Sequence, residues 1–418
     1  MSSAPSKNAF LFVLVTVTLN MIGFGLIIPV VPQLLEELTG RGAEETIVWG
    51  GALTATYALM NFLAGPTLGA LSDRYGRRPI LLASIFTLFI DLLIMGFATS
   101  IAVLFIGRAL AGLSSATFST ANAYVADVTT PEDRGKAFGI VGAAFGIGFI
   151  LGPAIGGLLG DIHTRLPFFV AAGLAMMNFL YGVFVLPESL ATDKRRALDL
   201  KRSNPFGAFK HFSKLPKVSW FLLAVGVFGF AHVVYPSTWS FHGEIRYDWT
   251  SGEIGASLAL VGIGAAVVQA GLMGQFIKRI GEVRTALFSL SIGMVSLLCF
   301  AFASAPWMAY AIIPLSALGG MTGPSVNAIM SKQTPENAQG ELQGAVASIQ
   351  SLGMIISPIV MTQTLHEFSK DGAAIKFGGA AFLLAAILTG LAIFPVLRGV
   401  AANRSEETLS DTLKKAEP

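Results

Sequence analysis

Asp91 and Arg108 are the two strongly charged residues that lie well inside long apolar runs of this 418-residue chain. A charge in hydrocarbon is costly, so an intramembrane ionisable residue is a functional candidate by default. Asp91 lies in the run 79–98 and Arg108 in the next, 101–126, which returns in the opposite direction. Each sits about seven residues, roughly 10 Å, from the end the two runs share, so they are placed to pair. One reading is a structural ion pair tying two helices together. In the other, Asp91 carries a proton and Arg108 modulates it.

Other polar groups within the runs, neutral ones, are Asn20, Asn61, Asn122, Tyr124, His232, Gln269, Asn327 and Gln350. Such groups bridge helices or touch a substrate. His232 is the histidine set deep in a run. Imidazole titrates near neutral pH, although a lone histidine is more often a hydrogen-bonded packing residue.

Two glycine patterns stand out. Gly69-x-Leu71-Ser72-Asp73-Arg74-x-Gly76-Arg77-Arg78 joins two apolar runs. Its arginines could serve topology alone. Its glycines call for more: Gly69 for close helix approach and Gly76 for a tight turn at positive φ. Asp73 can meet the positive end of a neighbouring helix or a nearby arginine. The second pattern is Gly142, Gly146, Gly148, Gly152-Pro153 and Gly156-Gly157. Glycines three or four apart line one helix face and admit a close neighbour.

The elements that carry these residues follow from composition. Hydrophobic residues make up 53% and charged residues 13%, against about 25% charged in soluble domains. Twelve apolar segments run near 9–35, 47–71, 79–98, 101–126, 136–160, 165–186, 217–241, 252–276, 284–303, 307–330, 341–366 and 376–397. Each spans about 30 Å of hydrocarbon, and helices satisfy their own backbone there, so an all-α membrane bundle is expected. The first run is too long for a signal peptide and reads as a retained helix. A cytoplasmic N-terminus puts Arg74, Arg77, Arg78, Arg134, Lys136, Lys278, Arg279, Arg284 and Lys332 inside, with the basic 187–216 connection. Outer connections then hold only Arg41, Arg165, Arg246, Lys370 and Lys376. Both termini are thus expected in the cytoplasm.

The halves repeat at an offset of about 205 residues. Gly69…Arg74-Tyr-Gly76 recurs as Gly274…Arg279-Ile-Gly281, Thr130-Pro131-Glu132 as Thr334-Pro335-Glu336, and Pro153 as Pro358. The expected organisation is a six-helix bundle over 1–186, a cytoplasmic linker over 187–216, a second bundle over 217–398 and a tail over 399–418. Net charge is +3, with no basic footprint for nucleic acid. Cys299 is the one cysteine, so no cysteine metal site is expected. No GxxxxGK[ST], HExxH or nucleophile-elbow motif occurs, and no cofactor is expected.

The Gly69–Arg78 loop resembles the signature loop of the major facilitator superfamily. That resemblance implies twelve helices in two pseudo-symmetric six-helix bundles and a latch closing the cytoplasmic side, with Asp127 and Arg134 as its partners. Gly148-x-x-x-Gly152-Pro153-x-x-Gly156-Gly157 is similar to the motif of the exporter, or antiporter, branch. The resemblance narrows to the twelve-span tetracycline/proton antiporters and covers nearly the whole chain. Gly23-Phe-Gly25-Leu-Ile-Ile-Pro29-Val-Val-Pro32, Tyr57-Ala-Leu-Met-Asn61, Ala83-Ser84 with Asp91, Arg108-x-x-x-Gly112, Tyr247-Asp-Trp249 and Gly340-x-x-Gln343-Gly344 support it. It implies a role for Arg108 in substrate contact or energy coupling. It also places Tyr57 with Asn20, Asn61, Tyr124, His232, Gln269, Asn327 and Gln350 as substrate candidates.

Three groups of that family are replaced. Asn20 stands where an acid is usual, Gly264-Ala265-Ala266 where a histidine is usual, and segment 9 has Met294 but no aspartate. The resemblance therefore leaves the substrate open. The expected function is proton-coupled export of a small amphiphilic drug or metabolite by a monomer in a bacterial inner membrane. A lipid-handling carrier of the same fold is the alternative. An intramembrane enzyme lacks a clustered catalytic set.

Overall fold

The computed structural model describes residues 7–130, 132–196 and 218–403. Pro131, Lys201, Arg202, Lys210 and Lys214, most of the 187–216 linker and the tail from 404 lie outside the described residues. Among the described residues every regular element is helical. Ten helices there are long and apolar enough to cross a membrane. Twelve runs become ten for two reasons. Segments 8 and 9 are two helices that meet without a loop at Gly281, whose φ of 78° and ψ of 166° are not helical, so they form one unbroken run of 52 residues. Segment 10, in two pieces at Pro306–Gly319 and Thr322–Gln333, is not among the ten.

Among the described residues segments 1, 4, 7 and 10 break at places related by the repeat, and segment 12 breaks at Ala392 without a counterpart in segment 6. Segment 1 changes from helix Lys7–Ile27 to a 3-10 turn at Ile28–Val30, then resumes as Val31–Thr39. Segment 7 breaks at Val233 between Ser219–His232 and Val234–Tyr247. Segment 10 breaks at Gly320 and Met321. A proline lacks the N–H that would bond the carbonyl four residues back, and its ring crowds that carbonyl. Pro32, Pro236 and Pro324 stand four residues after Ile28, His232 and Gly320. Segment 4 breaks after Ile101–Leu113 and resumes at Thr117–Val128, without a proline.

The chain divides into two compact units. One is Met1–Pro205 with Trp239–Ile263 and Ser369–Gly372; the other is Phe206–Thr238 with Gly264–Phe368 and Ala373–Pro418. In the first, Phe12, Val17, Leu81, Ile85, Tyr124 and Leu186 form a core from segments 1, 3, 4 and 6. In the second, Phe221, Leu290, Met330, Leu342, Ala345 and Val396 form a core from segments 7, 9, 10, 11 and 12. Polar bonds between helices add to this packing: Thr16 donates to Asn178 at 3.1 Å, joining segments 1 and 6. Apolar side chains such as Phe184, Ile162 and Leu158 remain exposed, as expected of surfaces that meet lipid tails.

Candidate functional site

Segment 3 is the unbroken helix Arg77–Gly96, and segment 4 begins at Ile101 after a short turn. This tight hairpin brings Arg108 to Asp91. The Arg108 Nη2 donates to Asp91 Oδ2. Asp91 is 0% exposed and Arg108 11%. Gly107 makes the approach possible, since a Cβ there would lie 2.9 Å from Asp91 Oδ1. The guanidinium also lies 5.8 Å from the centre of the Tyr57 ring, and the Tyr57 hydroxyl bonds Ser115 at 2.6 Å.

These groups wall a cavity of about 60 Å³ lined by Asn20, Tyr57, Ser84, Asp91, Arg108 and Ser115 among others. Asp91 Oδ1, Arg108 Nε and Asn20 Nδ2 are buried without a hydrogen-bond partner. Buried polar atoms are normally paired, so this wall is poised to bind something polar. Ser114 and Ser115 lie in the break of segment 4, which turns them to the cavity.

The second unit has a larger cavity, about 330 Å³, between segments 7, 9, 10 and 11. His232 and Gln350 line it, with Phe228, Thr322 and Met354. His232 stacks on Phe228 at 5.2 Å and meets Tyr235 edge-on at 5.1 Å.

The other candidates lie elsewhere. Tyr124 is fully buried in the first core and donates to the Pro187 carbonyl at 3.0 Å, so it supports packing and not a cavity wall. The backbone of Asn61 crosses segment 4 at Gly112, outside the cavity lining. Gln269 is exposed in a π-helical stretch, Val268–Leu272. Asn327 accepts from Gln343 at 3.2 Å, joining segments 10 and 11.

At the end of segment 2, Gly76 has φ +105°, and Glu188 packs where its Cβ would be. Glu188 accepts from the backbone N–H of Arg77 at 2.8 Å and of Arg78 at 3.3 Å. It thereby satisfies two free donors at the positive end of segment 3. Asp73 instead pairs with Arg77 at 2.6 Å. Arg77 also reaches Asp127 at 3.2 Å and Ser72 at 3.1 Å. Arg78 donates to the Val183 carbonyl at 2.8 Å. Arg134 donates to the Ala126 carbonyl at 3.1 Å rather than to this network, and Arg74 lies over Tyr75. Gly69 differs from expectation, since nothing lies within 4 Å of a Cβ placed there. Sequence reading missed Glu188; its signal is the Pro187-Glu188-Ser189 step that ends segment 6.

Segment 5, Arg134–Ile162, presents two glycine stripes. Gly148, Gly152 and Gly156 pack against Met21, Gly25 and Leu26 of segment 1. Gly157 and Pro153 meet Ser251 and Gly255 of segment 8. The glycine face turns mainly to segment 1, because residues four apart share one stripe and Gly157 falls on the next. Asp161 adds a contact there, accepting from the Gly252 N–H at 2.9 Å. Thr250 and Glu253 cap the same helix start reciprocally, at 2.9 and 3.3 Å, as in a capping box.

The family model of the Major Facilitator Superfamily matches residues 13–358. The chain belongs to this superfamily. It is 38% identical over 403 residues to the tetracycline resistance protein, class C, of Escherichia coli, covering 96% of this chain and 100% of the relative. It is 30% identical over 360 residues to multidrug resistance protein 2 of Bacillus subtilis, covering 84% and 87%. Its fold is similar to that of the human organic anion transporter MFSD10, with TM-score 0.70, 21% identity and coverage of 94% and 100%.

As a facilitator-superfamily protein of the tetracycline-resistance group, the chain is an integral membrane transporter for a small molecule, not an enzyme. The duplicated facilitator architecture extends to its ion pairs. Arg77 and Asp127 pair in the first half. Glu282 and Lys332 pair at 2.6 Å in the second. Both residues are displaced by the repeat offset of about 205.

Proposed function

We propose that this transporter exports a small amphiphilic drug or metabolite across the bacterial inner membrane in exchange for protons. The observation that carries the reading is the Asp91–Arg108 pair. One carboxylate oxygen is held by Arg108 while the other is unpartnered beside a cavity. A proton taken up at Oδ1 discharges the carboxylate, loosens Arg108 and changes the balance between conformations. Relatives named for tetracycline resistance and multidrug resistance support the cargo class, and the Gly148–Gly157 motif supports the direction.

In this reading the halves 1–186 and 217–398, joined by the 187–216 connection, rock by alternating access around a central site. The protein acts as a monomer with both termini in the cytoplasm. Gly69, Asp73, Arg74, Gly76, Arg77, Arg78, Asp127 and Arg134 serve the cytoplasmic gate. Asn20, Tyr57, His232 and Gln350 are the substrate contacts that line cavities.

The test is uptake of a panel of amphiphiles into everted membrane vesicles energised by respiration. At least one compound should accumulate, collapse of the proton gradient should release it, and Asp91→Asn combined with Arg108→Gln should abolish accumulation while leaving downhill exchange. Gradient-driven accumulation by that double variant would remove Asp91 from the coupling role.

A further inference from the structure

The cavities constrain the electric charge of what they bind. Thr322 in the 330 Å³ cavity already shares a 2.8 Å hydrogen bond with Ser289. The polar groups left to face a ligand are His232 and Gln350, on segments 7 and 11, and among the described residues no carboxylate, ammonium or guanidinium group lines this cavity. The volume lies within the range of about 300–1,000 Å³ typical of sites for drug-sized molecules.

The His232 wall is flat, aromatic and braced. Phe228 lies along one face of the imidazole with an interplanar angle of 29°. Tyr235 abuts it, and Tyr235 is set between Phe300 at 6.1 Å and Phe382 at 5.9 Å. The imidazole is exposed and in its neutral form offers one donor and one acceptor; the Gln350 amide offers both kinds as well. A planar ring is recognised here by stacking, and its polar edge by two neutral groups.

The 60 Å³ cavity in the first unit is balanced too. Asp91 is paired with Arg108, and Asn20 supplies an amide. Protonating Asp91 leaves the Arg108 charge uncompensated, so that cavity is neutral or positive in either protonation state and never negative. A cation moved out of water into such surroundings has no partner to offset its lost hydration.

We infer that the transported molecule is a planar aromatic amphiphile without net charge, held in the second unit between His232 and Gln350. This rests on the exporter reading and adds the substrate's charge class to it. Permanently cationic aromatic drugs are rejected.

The experiment is equilibrium binding of fluorescent aromatic dyes to the full chain in nanodiscs, with empty nanodiscs as background and no gradient. Nile red is uncharged, ethidium cationic and 8-anilinonaphthalene-1-sulfonate anionic. Wild type should bind Nile red saturably, and neither ion should displace it. His232→Ala and Gln350→Ala should each weaken Nile red about tenfold, near the loss of one hydrogen bond. Met354→Glu places a carboxylate on the same cavity wall and should admit ethidium while retaining Nile red. Ethidium or the anion competing equally in wild type overturns the inference, as does wild-type Nile red affinity in both alanine variants. A Met354→Glu protein that binds Nile red yet excludes ethidium also overturns it. Since binding is read without a gradient, failed proton coupling leaves these results intact. Proton-driven export of ethidium would sink this inference and leave the coupling reading standing.

Discussion

Lys332 bonds Glu282 at 2.6 Å in the place where Asp127 bonds Arg77 in the other half, with the signs of the charges exchanged. The duplication has kept the junction between a segment end and a loop, and reversed its polarity. The two pairs differ in surroundings. Lys332 is 68% exposed, whereas Arg77 is 13% exposed and also holds Asp73 and Ser72.

That difference sets the first expectation. Exposed ion pairs contribute about 0–1 kcal/mol. Lys332→Ala should therefore change unfolding by less than about 1 kcal/mol. Arg77→Ala leaves two carboxylates without their shared cation and should cost clearly more. Urea or thermal unfolding in detergent measures both, and equal effects would mean that Arg77 does not organise the loop.

Gly76 and Glu188 set the second. A side chain at Gly76 meets both an unfavourable φ of +105° and the Glu188 carboxylate. Gly76→Ala should lower stability and transport together. Glu188→Ala removes a helix cap and should cost about 0.5–2 kcal/mol. Asp73→Asn, which leaves that cap in place, should reduce transport with expression retained. A Glu188→Ala protein as stable as wild type would show that the N–H groups of the helix start find other acceptors.

Asp91 and Arg108 set the third. Removing one partner of a buried pair typically costs about 3–5 kcal/mol. Asp91→Asn and Arg108→Gln should each destabilise, and the double variant should recover stability because no unpaired charge remains. With Asp91 as proton carrier, the stable double variant exchanges substrate but builds no gradient. For an uncharged substrate, each proton exchanged also moves one positive charge inward, so an imposed membrane potential, negative inside, should drive export without a pH difference. Potential-insensitive transport would contradict that charge balance.

The segment 5 stripes set the fourth. A side chain at Gly255 would strike the Pro153 carbonyl, whereas Gly139 faces open space. Gly255→Val should abolish transport by blocking the seating of segment 8 on segment 5. Gly139→Ala should transport normally and gain slightly in stability, since alanine favours a helix over glycine by about 1 kcal/mol. Normal transport by Gly255→Val would show that this contact is dispensable.

The all-helical membrane fold, its duplication and its family were legible in the sequence, because hydropathy, run length and motif spacing are properties of the chain read along one axis. The depths of Asp91 and Arg108 were legible for the same reason, since rise per residue converts sequence position into height. The prolines behind the breaks at Ile28, Val233 and Gly320 could also have been read from a fixed spacing of four. Tertiary structure alone decided the rotation of each helix and the identity of its neighbour. It put Tyr124 in a core and His232 on a cavity, although both are polar aromatics at membrane depth. It turned Gly148, Gly152 and Gly156 to segment 1 and Gly157 to segment 8. It gave the positive end of segment 3 to Glu188, more than a hundred residues away, and left Asp73 to Arg77. Height in the membrane follows from counting residues, but facing depends on how all neighbouring side chains pack at once.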